Sequence, residues 1–177
     1  MAPDPDLITY WLADEIDERG FGLRGDSWEV MDALAAAGRP TWFRLGDRDL
    51  AMCLIRTEAL RGGARLTEAH TAVVEAMGVG ALVLPMSDEP VATFVRHRGR
   101  RLPFQEYMIV ERAAPPVEGV ELEGVERARP TDDVLAALAS AELIVIGPRT
   151  RSSRSAPSSR CPACARRWLA RRHRSWR

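Results

Sequence analysis

TEAHTAVVEAMGVGALVLP, Thr67 to Pro85, carries two kinds of apolar pattern in succession. Val73, Val74 and Met77 share one helical face, and Thr67 stands where a helix cap is expected. The pattern then changes to ALVLP (Ala81–Pro85), an uninterrupted apolar run of the kind that forms a strand buried on both faces. A helix handing over to such a strand is the repeating unit of a parallel α/β sheet.

The flanking sequence extends that alternation. Asp6 stands as the cap of a first helix whose apolar face carries Leu7, Tyr10, Trp11 and Ile16. GFGLRGDSW (Gly20–Trp28) reads as a loop. Asp26 or Ser27 starts a second helix with Val30, Met31 and Leu34 inward, and Gly38 occupies its C-terminal cap. PTWFRL (Pro40–Leu45) is a short strand, followed by a helix from about Asp47 to Leu60 that Gly62 and Gly63 stop. Downstream, Val91–His97 and Leu102–Glu111 read as two strands of an antiparallel ribbon joined across RGRR. AAPPVEG is a connector, and Val120 and Leu122 mark one more short strand. Pro130 and Thr131 open a last helix ending near Ser140, and ELIVIG (Glu142–Gly147) is a final apolar strand. The fold class is therefore α/β, a largely parallel sheet flanked by helices with an inserted β-ribbon.

Composition narrows the functional classes. A chain of 177 residues with 46% apolar and 28% charged residues can bury a core, most simply as one domain. No apolar run approaches the ~20 residues of a bilayer span. The acidic start MAPDPDLITY lacks the pattern of a secretory signal. Three cysteines, an odd number, fit a reducing cytoplasm better than a disulfide scaffold. The net charge of zero hides a split: residues 149–177 hold 10 arginines and no acid, leaving 15 arginines against 25 acids in residues 1–148. Lysine and asparagine, whose codons are AT-rich, are both absent, which points to a GC-rich gene.

Several groups carry chemistry, each with a plain structural alternative. Asp4 and Asp6 suit a magnesium ion or a polar ligand, or else a helix cap with a neighbouring surface acid. In FRLGDRDLA (Phe43–Ala51), Gly46 permits close backbone approach, and Asp47 reads as the cap of the following helix with Asp49 in its first turn. Arg44 is either a solvated strand end or a ligand contact, and Arg48 faces either phosphate or water. Ser87 and Asp88 follow a buried-type strand, where ligand loops and ordinary turns both occur. FQEY places Gln105 and Tyr107 on one face of a strand and Phe104 and Glu106 on the other. His70 and His97 belong to no metal motif, and Cys53 reads as a core thiol. CPAC (Cys161–Cys164) is a lone C-x-x-C, weak as a zinc signal.

Taken in order, these landmarks resemble the CofD family, the 2-phospho-L-lactate transferases of coenzyme F-420 biosynthesis. PDPDLITYWL resembles the family's P-D-L-D-T-x-x-Y-x-L, and GFGLRGDSW its G-W-G-x-x-x-[DE]-[ST]-[WF]. LGDRDLA, LPMSDEPVAT, FQEY and RARPTDDVLAALASAELIVIGP follow at the expected places, so the likeness spans residues 2–148. The resemblance implies a Rossmann-like α/β fold in a cytoplasmic enzyme. It implies transfer of a phospholactyl or phosphoenolpyruvyl group from a guanosine diphosphate adduct to the deazaflavin Fo, with GMP released and magnesium assisting. Such chemistry relies on positioning and charge neutralisation rather than on a covalent nucleophile. By the same resemblance Asp6 and Arg44 line the deazaflavin site; Asp4, Gly46, Asp47, Arg48, Asp49, Ser87, Asp88 and Gln105 are further pocket candidates. Asp4 and Asp6 are the candidate magnesium ligands. The family's threonine after the second aspartate is Leu7 here, which removes a hydroxyl.

Two departures qualify the resemblance. Family members carry a strand and a glycine-rich, phosphate-facing loop ahead of the first motif, and here Met1 falls just before that motif. After the strand matching LIVIGP, the family continues S-N-P-V-V-S-I-G-P-I-L, where this chain reads RTRSSRSAPSSRCPACARRW. Residues 149–165 can be encoded so that a frame two bases later gives N-P-V-V-S-I-G-P-I-L-A-V-P-G-M-R. The tail is accordingly read as the family sequence out of frame, and the chain as a partial transferase domain (1–148) with an Arg/Ser-rich tail (149–177). The expectation is weak Fo binding with little or no transfer, and an exposed sheet edge that favours association of copies, as in a homodimer. The alternative is a nucleic-acid-binding protein acting through its ten tail arginines with Trp168 and Trp176.

Overall fold

A computed structural model describes residues 2–146, which form two compact units dividing between Pro85 and Met86. The first unit is helical: α1 (Pro3–Leu12), α2 (Glu29–Ala36), α3 (Asp47–Arg61) and α4 (Leu66–Ala76). α3 packs along α4, and α2 touches α3. Its apolar interior is formed by Tyr10, Leu23, Met31, Ala69, Val73, Val74 and Val83, with Asp6, Thr9, Arg56 and His70 buried among polar partners. No helix among the described residues is long and apolar enough to cross a membrane.

Helix ends in this unit follow local chemistry. Gly38 adopts φ 69° and closes α2 by donating its N–H to the Ala35 carbonyl, while Arg39 N–H reaches Leu34. Gly62 and Gly63 end α3, the latter at φ 91°. Arg65, not Thr67, precedes α4; its N–H donates to the Glu68 carboxylate, and Thr67 is buried inside the first turn. Asp6 likewise lies inside α1 rather than capping it, because Pro3 already supplies a favourable helix start. Trp11 is 64% exposed, and Ile16 leaves the helix altogether to form a bridge with Leu23.

The second unit is built on a three-stranded antiparallel sheet of order β2-β1-β3, with β1 (Ala92–His97), β2 (Arg100–Pro103) and β3 (Gly119–Glu123). Arg98 and Gly99 form the two-residue turn between β1 and β2, both at positive φ, the geometry that matches strand twist. Val95 and Leu102 point inward onto Tyr107, with Phe104 packed beside them. The opposite face is ionic: Arg101 reaches across β1 to Glu121 and Glu123, and its guanidinium lies 3.4 Å from the Phe94 ring centre. Gly124 sits at φ +88°, and a Cβ there would meet the Pro90 carbonyl oxygen at 2.4 Å. α6 (Asp132–Ser140) follows, with Thr131 accepting the Val134 N–H at 3.2 Å as its cap.

The first strand of the ribbon, the third short strand and the last helix agree with expectation; two features differ, the first being the ribbon's second strand, which is Arg100–Pro103 and not Leu102–Glu111. FQEY begins a helix, α5 (Phe104–Ile109), not a strand. Pro103, at φ −54° and ψ 141°, ends β2 and turns the chain, and Tyr107 then anchors the helix through the Ala113 and Pro115 carbonyls at 3.1 and 2.8 Å. Gln105 and Tyr107 therefore do not share a strand face. The second difference concerns the parallel sheet. PTWFRL, ALVLP and the described part of ELIVIG join no ladder among the described residues. A strand exists only against a neighbour, and here Trp42, Leu82, Leu143, Val145 and Ile146 are 50–79% exposed. The described architecture is thus α/β with helices and a small antiparallel sheet. Residues 147–177, with the arginine-rich tail and CPAC, lie outside the described residues.

Candidate functional site

The first unit gathers most of the candidate residues. α1 turns Asp6, Thr9 and Tyr10 inward and leaves Asp4 exposed, since positions two apart on a helix face different ways. Asp6 meets the Arg56 guanidinium of α3 in a two-pronged ion pair: Nη1 donates to Oδ1, and Nη2 to Oδ2 at 2.8 Å. Asp6 and Arg56 are 6% and 3% exposed, so the pair is shielded from water. His70 of α4 completes the cluster, with Nδ1 3.5 Å from Arg56 Nη1 and Nε2 3.2 Å from Thr9 Oγ1. Thr9 donates its hydroxyl hydrogen to the Pro5 carbonyl at 2.8 Å, so it accepts from His70. That assigns the imidazole proton to Nε2 and leaves Nδ1 as an acceptor facing Arg56.

Electrostatics follow from this geometry. Burial lowers the His70 pKa; Asp6 opposes that shift and Arg56 adds to it. Burial disfavours the Arg56 cation, but the hydrogen bonds and charge of Asp6 outweigh it and raise the pKa. Beside the cluster, Tyr10 donates its hydroxyl to Asp49 Oδ1 at 2.7 Å. Burial and the Asp49 carboxylate push the Tyr10 hydroxyl far above its ordinary range. Burial also raises Asp49, with Asp6 and Asp26 adding repulsion, while Tyr10 and Arg56 work the other way. Burial, Asp49 and Asp6 raise the Cys53 thiol, as befits a core thiol.

The turn at Gly46 is organised by a cap exchange. Asp26 accepts the N–H groups of Arg48 and Asp49 at 2.9 and 3.2 Å, and thereby caps α3. Asp47 reaches back to accept the N–H groups of Glu29 and Val30 at 2.9 and 3.1 Å, capping α2, and also accepts from Ser27 Oγ at 2.7 Å. The Ser27 hydroxyl, with those two N–H groups, lowers the Asp47 pKa and outweighs the opposing effect of desolvation. The expected assignments are therefore crossed: Asp47 caps the helix before it, and Asp26 the helix after it. Arg48 is exposed and bonds Glu15 and the Arg24 carbonyl at 3.3 and 3.2 Å.

Arg44 lies on the exposed side of this turn. One Nη donates to Asp32 of α2, and the guanidinium carbon lies 5.2 Å from the Trp28 ring centre. Arg19 lies against the same ring at 5.6 Å and against Phe21 at 5.1 Å. Asp17 fixes Arg19: it accepts from Arg19 Nε at 2.7 Å and from the N–H groups of Arg19 and Phe21 at 3.0 and 3.2 Å. Burial opposes ionisation of Asp17, and these bonds overcome it, holding its pKa low.

Residues 2–150 match the family of 2-phospho-L-lactate transferase CofD. The chain belongs to the CofD family, a family of transferases. It is 36% identical over 149 residues to a 2-phospho-L-lactate transferase of Methanosarcina mazei, covering 84% of this chain and 49% of that protein. It is 37% identical over 156 residues to a phosphoenolpyruvate transferase of Mycobacterium leprae, covering 84% of this chain and 47% of that one. The chain thus spans about half the length of these relatives.

In this CofD chain, Asp6, Arg44, Gly46, Asp47, Arg48 and Asp49 all belong to the first unit, and Ser87, Asp88 and Gln105 to the second. Ser87 is buried and donates its hydroxyl to the Glu89 carbonyl at 3.0 Å, closing a turn. Gln105 sits half-buried in the first turn of α5. Asp4 and Asp6 do not converge, and both Asp6 oxygens are taken by Arg56, so the pair does not fit a magnesium ion. No group of three His, Cys, Asp or Glu side chains suited to a metal occurs among the described residues. Arg56 and His70 escaped the sequence reading because their partner lies 50 residues from one and on another helix from both. One signal was present: each occupies a core position of its helix, Arg56 beside Cys53 and His70 between Ala69 and Val73.

Proposed function

We propose that this chain supplies the acceptor-binding part of a CofD-type transferase of Rossmann-like ancestry. In the reaction, the deazaflavin hydroxyl attacks the phosphorus that carries the lactyl or enolpyruvyl group in a guanosine diphosphate adduct. A new P–O bond forms, the bond to GMP breaks, and GMP leaves with the electron pair while the hydroxyl proton passes to a base or solvent. The observation that supports the reading is the placement of Arg44, an exposed guanidinium held beside the Gly46 turn, immediately before LGDRDLA and within the matched residues 2–150. With one Nη bonded to Asp32, its other N–H donors can meet an acceptor on the deazaflavin. Asp6 is committed to fixing α1 to α3 through Arg56. Any magnesium the transfer uses draws its ligands from elsewhere than an Asp4–Asp6 pair.

A titration of the full chain with fluorescent Fo tests the reading, run beside an assay for GMP release. Saturable Fo binding that Arg44→Ala weakens about ten-fold supports it, the loss expected of a charged hydrogen bond. Absence of Fo binding at high micromolar concentration would sink it.

A further inference from the structure

We propose, resting on the reading of Arg44 above, that Trp28 is the residue that positions Arg44 at the acceptor site. Arg44 belongs to a segment without regular structure, and its side chain is 51% exposed. A free arginine there would sample many rotamers and lose much of its binding contribution on being ordered. Two groups, one at the start of α2 and one within it, remove that freedom. Asp32 takes one Nη, and the Trp28 ring lies against the guanidinium plane's carbon at 5.2 Å.

Trp28 is itself held in two ways. It is the residue immediately before α2, and the next two N–H groups, Glu29 and Val30, are tied to Asp47. Arg19 packs against its ring at 5.6 Å and is locked by the buried Asp17. Phe21 then lies against Arg19 at 5.1 Å, giving the series Phe21, Arg19, Trp28, Arg44. Gly22 keeps the loop tight: its φ is +86°, and an added Cβ would stand 3.3 Å from the Arg19 guanidinium. The carboxylates of Asp17 and Asp32 balance the charges of Arg19 and Arg44, so the series orients guanidinium groups rather than concentrating bare cations. Trp28 thus acts on the ligand through Arg44.

The test is Fo titration of the full chain and of Arg44→Ala, Trp28→Leu and Trp28→Phe, with 15N NMR of the Arg44 Nε–H. Trp28→Leu is expected to raise the Kd about five-fold, and Trp28→Phe, which keeps an aromatic face, less than about two-fold. In the wild type the Arg44 Nε–H resonance, assigned by its loss in Arg44→Ala, should carry a ring-current shift. Wild-type binding by Trp28→Leu beside a weakened Arg44→Ala overturns the positioning role alone. Wild-type binding by Arg44→Ala overturns the reading of Arg44 and the proposal with it. Should Trp28→Leu lose its helical circular dichroism, the resonance decides: a random-coil shift for Arg44 in the wild type overturns the proposal.

Discussion

Asp26 and Asp47 cap each other's helices, and Gly46 is the residue that lets them do so. A Cβ built on Gly46 would fall 2.0 Å from Asp26 Oδ2, inside any permitted contact. Gly46→Ala must therefore expel the Asp26 carboxylate from the N–H groups of Arg48 and Asp49. We expect a loss of about 2 kcal/mol or more in urea unfolding, combining an overpacked contact with a lost cap. Asp26→Ala removes the cap without the clash and should cost about 1 kcal/mol. If Gly46→Ala proved no worse than Asp26→Ala, the close approach would be relieved by backbone movement.

The Asp6–Arg56 pair should behave as a buried ion pair. Arg56→Met leaves Asp6 shielded from water and unpaired, and should cost about 3–5 kcal/mol. Asp6→Asn strands the Arg56 cation and should cost a similar amount. The double variant Asp6→Asn/Arg56→Met lacks both charges and should recover a large part of the loss. Denaturant midpoints of the four proteins form the cycle, and strict additivity would show that the two side chains do not interact.

Residues close in sequence were largely legible, and those joined across distance were not. Gly38, Gly62, Thr131 and the Arg98–Gly99 turn act through neighbours a few residues away, so spacing alone placed them. Helix ends failed where the capping group came from afar: Asp26 lies 22 residues from Arg48, and no local rule pairs them. Burial of Asp6 had the same origin, because Arg56 lies 50 residues away. FQEY was misread because aromatic residues in a short run suit a strand, whereas Pro103 and the Tyr107 hydroxyl bonds decide for a helix. ALVLP shows the converse limit: an apolar run marks a segment able to pair, and the partner decides whether it does.

His70 should make stability depend on pH. Its pKa in the folded chain lies below the ordinary 6.5, because burial disfavours the cation and Arg56 faces its Nδ1, despite Asp6 nearby. The unfolded chain therefore binds more protons between the folded pKa and 6.5. Stability then rises with pH across that window: the contribution is complete above 6.5 and is lost as pH falls toward the folded value. Asp49 works in the opposite direction at lower pH, since its raised pKa makes the folded chain the better proton acceptor. Urea midpoints of the wild type should fall from pH 7 to pH 5, and His70→Gln should flatten that slope even if it lowers the midpoint throughout. An unchanged slope would assign the dependence to other groups.

The exposed apolar segments predict association. Leu143, Val145 and Ile146 are 69–79% exposed on a segment whose backbone joins no ladder among the described residues. Leu82 in ALVLP, in the other unit, is 70% exposed. Side chains of this size favour burial by about 1.5–3 kcal/mol each, and an extended apolar segment is also a template for strand pairing. The full chain should therefore bind an apolar dye such as ANS and should elute earlier from size exclusion as concentration rises. Leu143→Ser/Val145→Ser should reduce both effects while leaving the helical circular dichroism of the first unit unchanged. Leu82→Ser separates the contributions of the two segments: if it abolishes association while the double variant does not, ALVLP is the sticky segment. Dye binding and elution unaffected by all three substitutions would show that these side chains do not drive association.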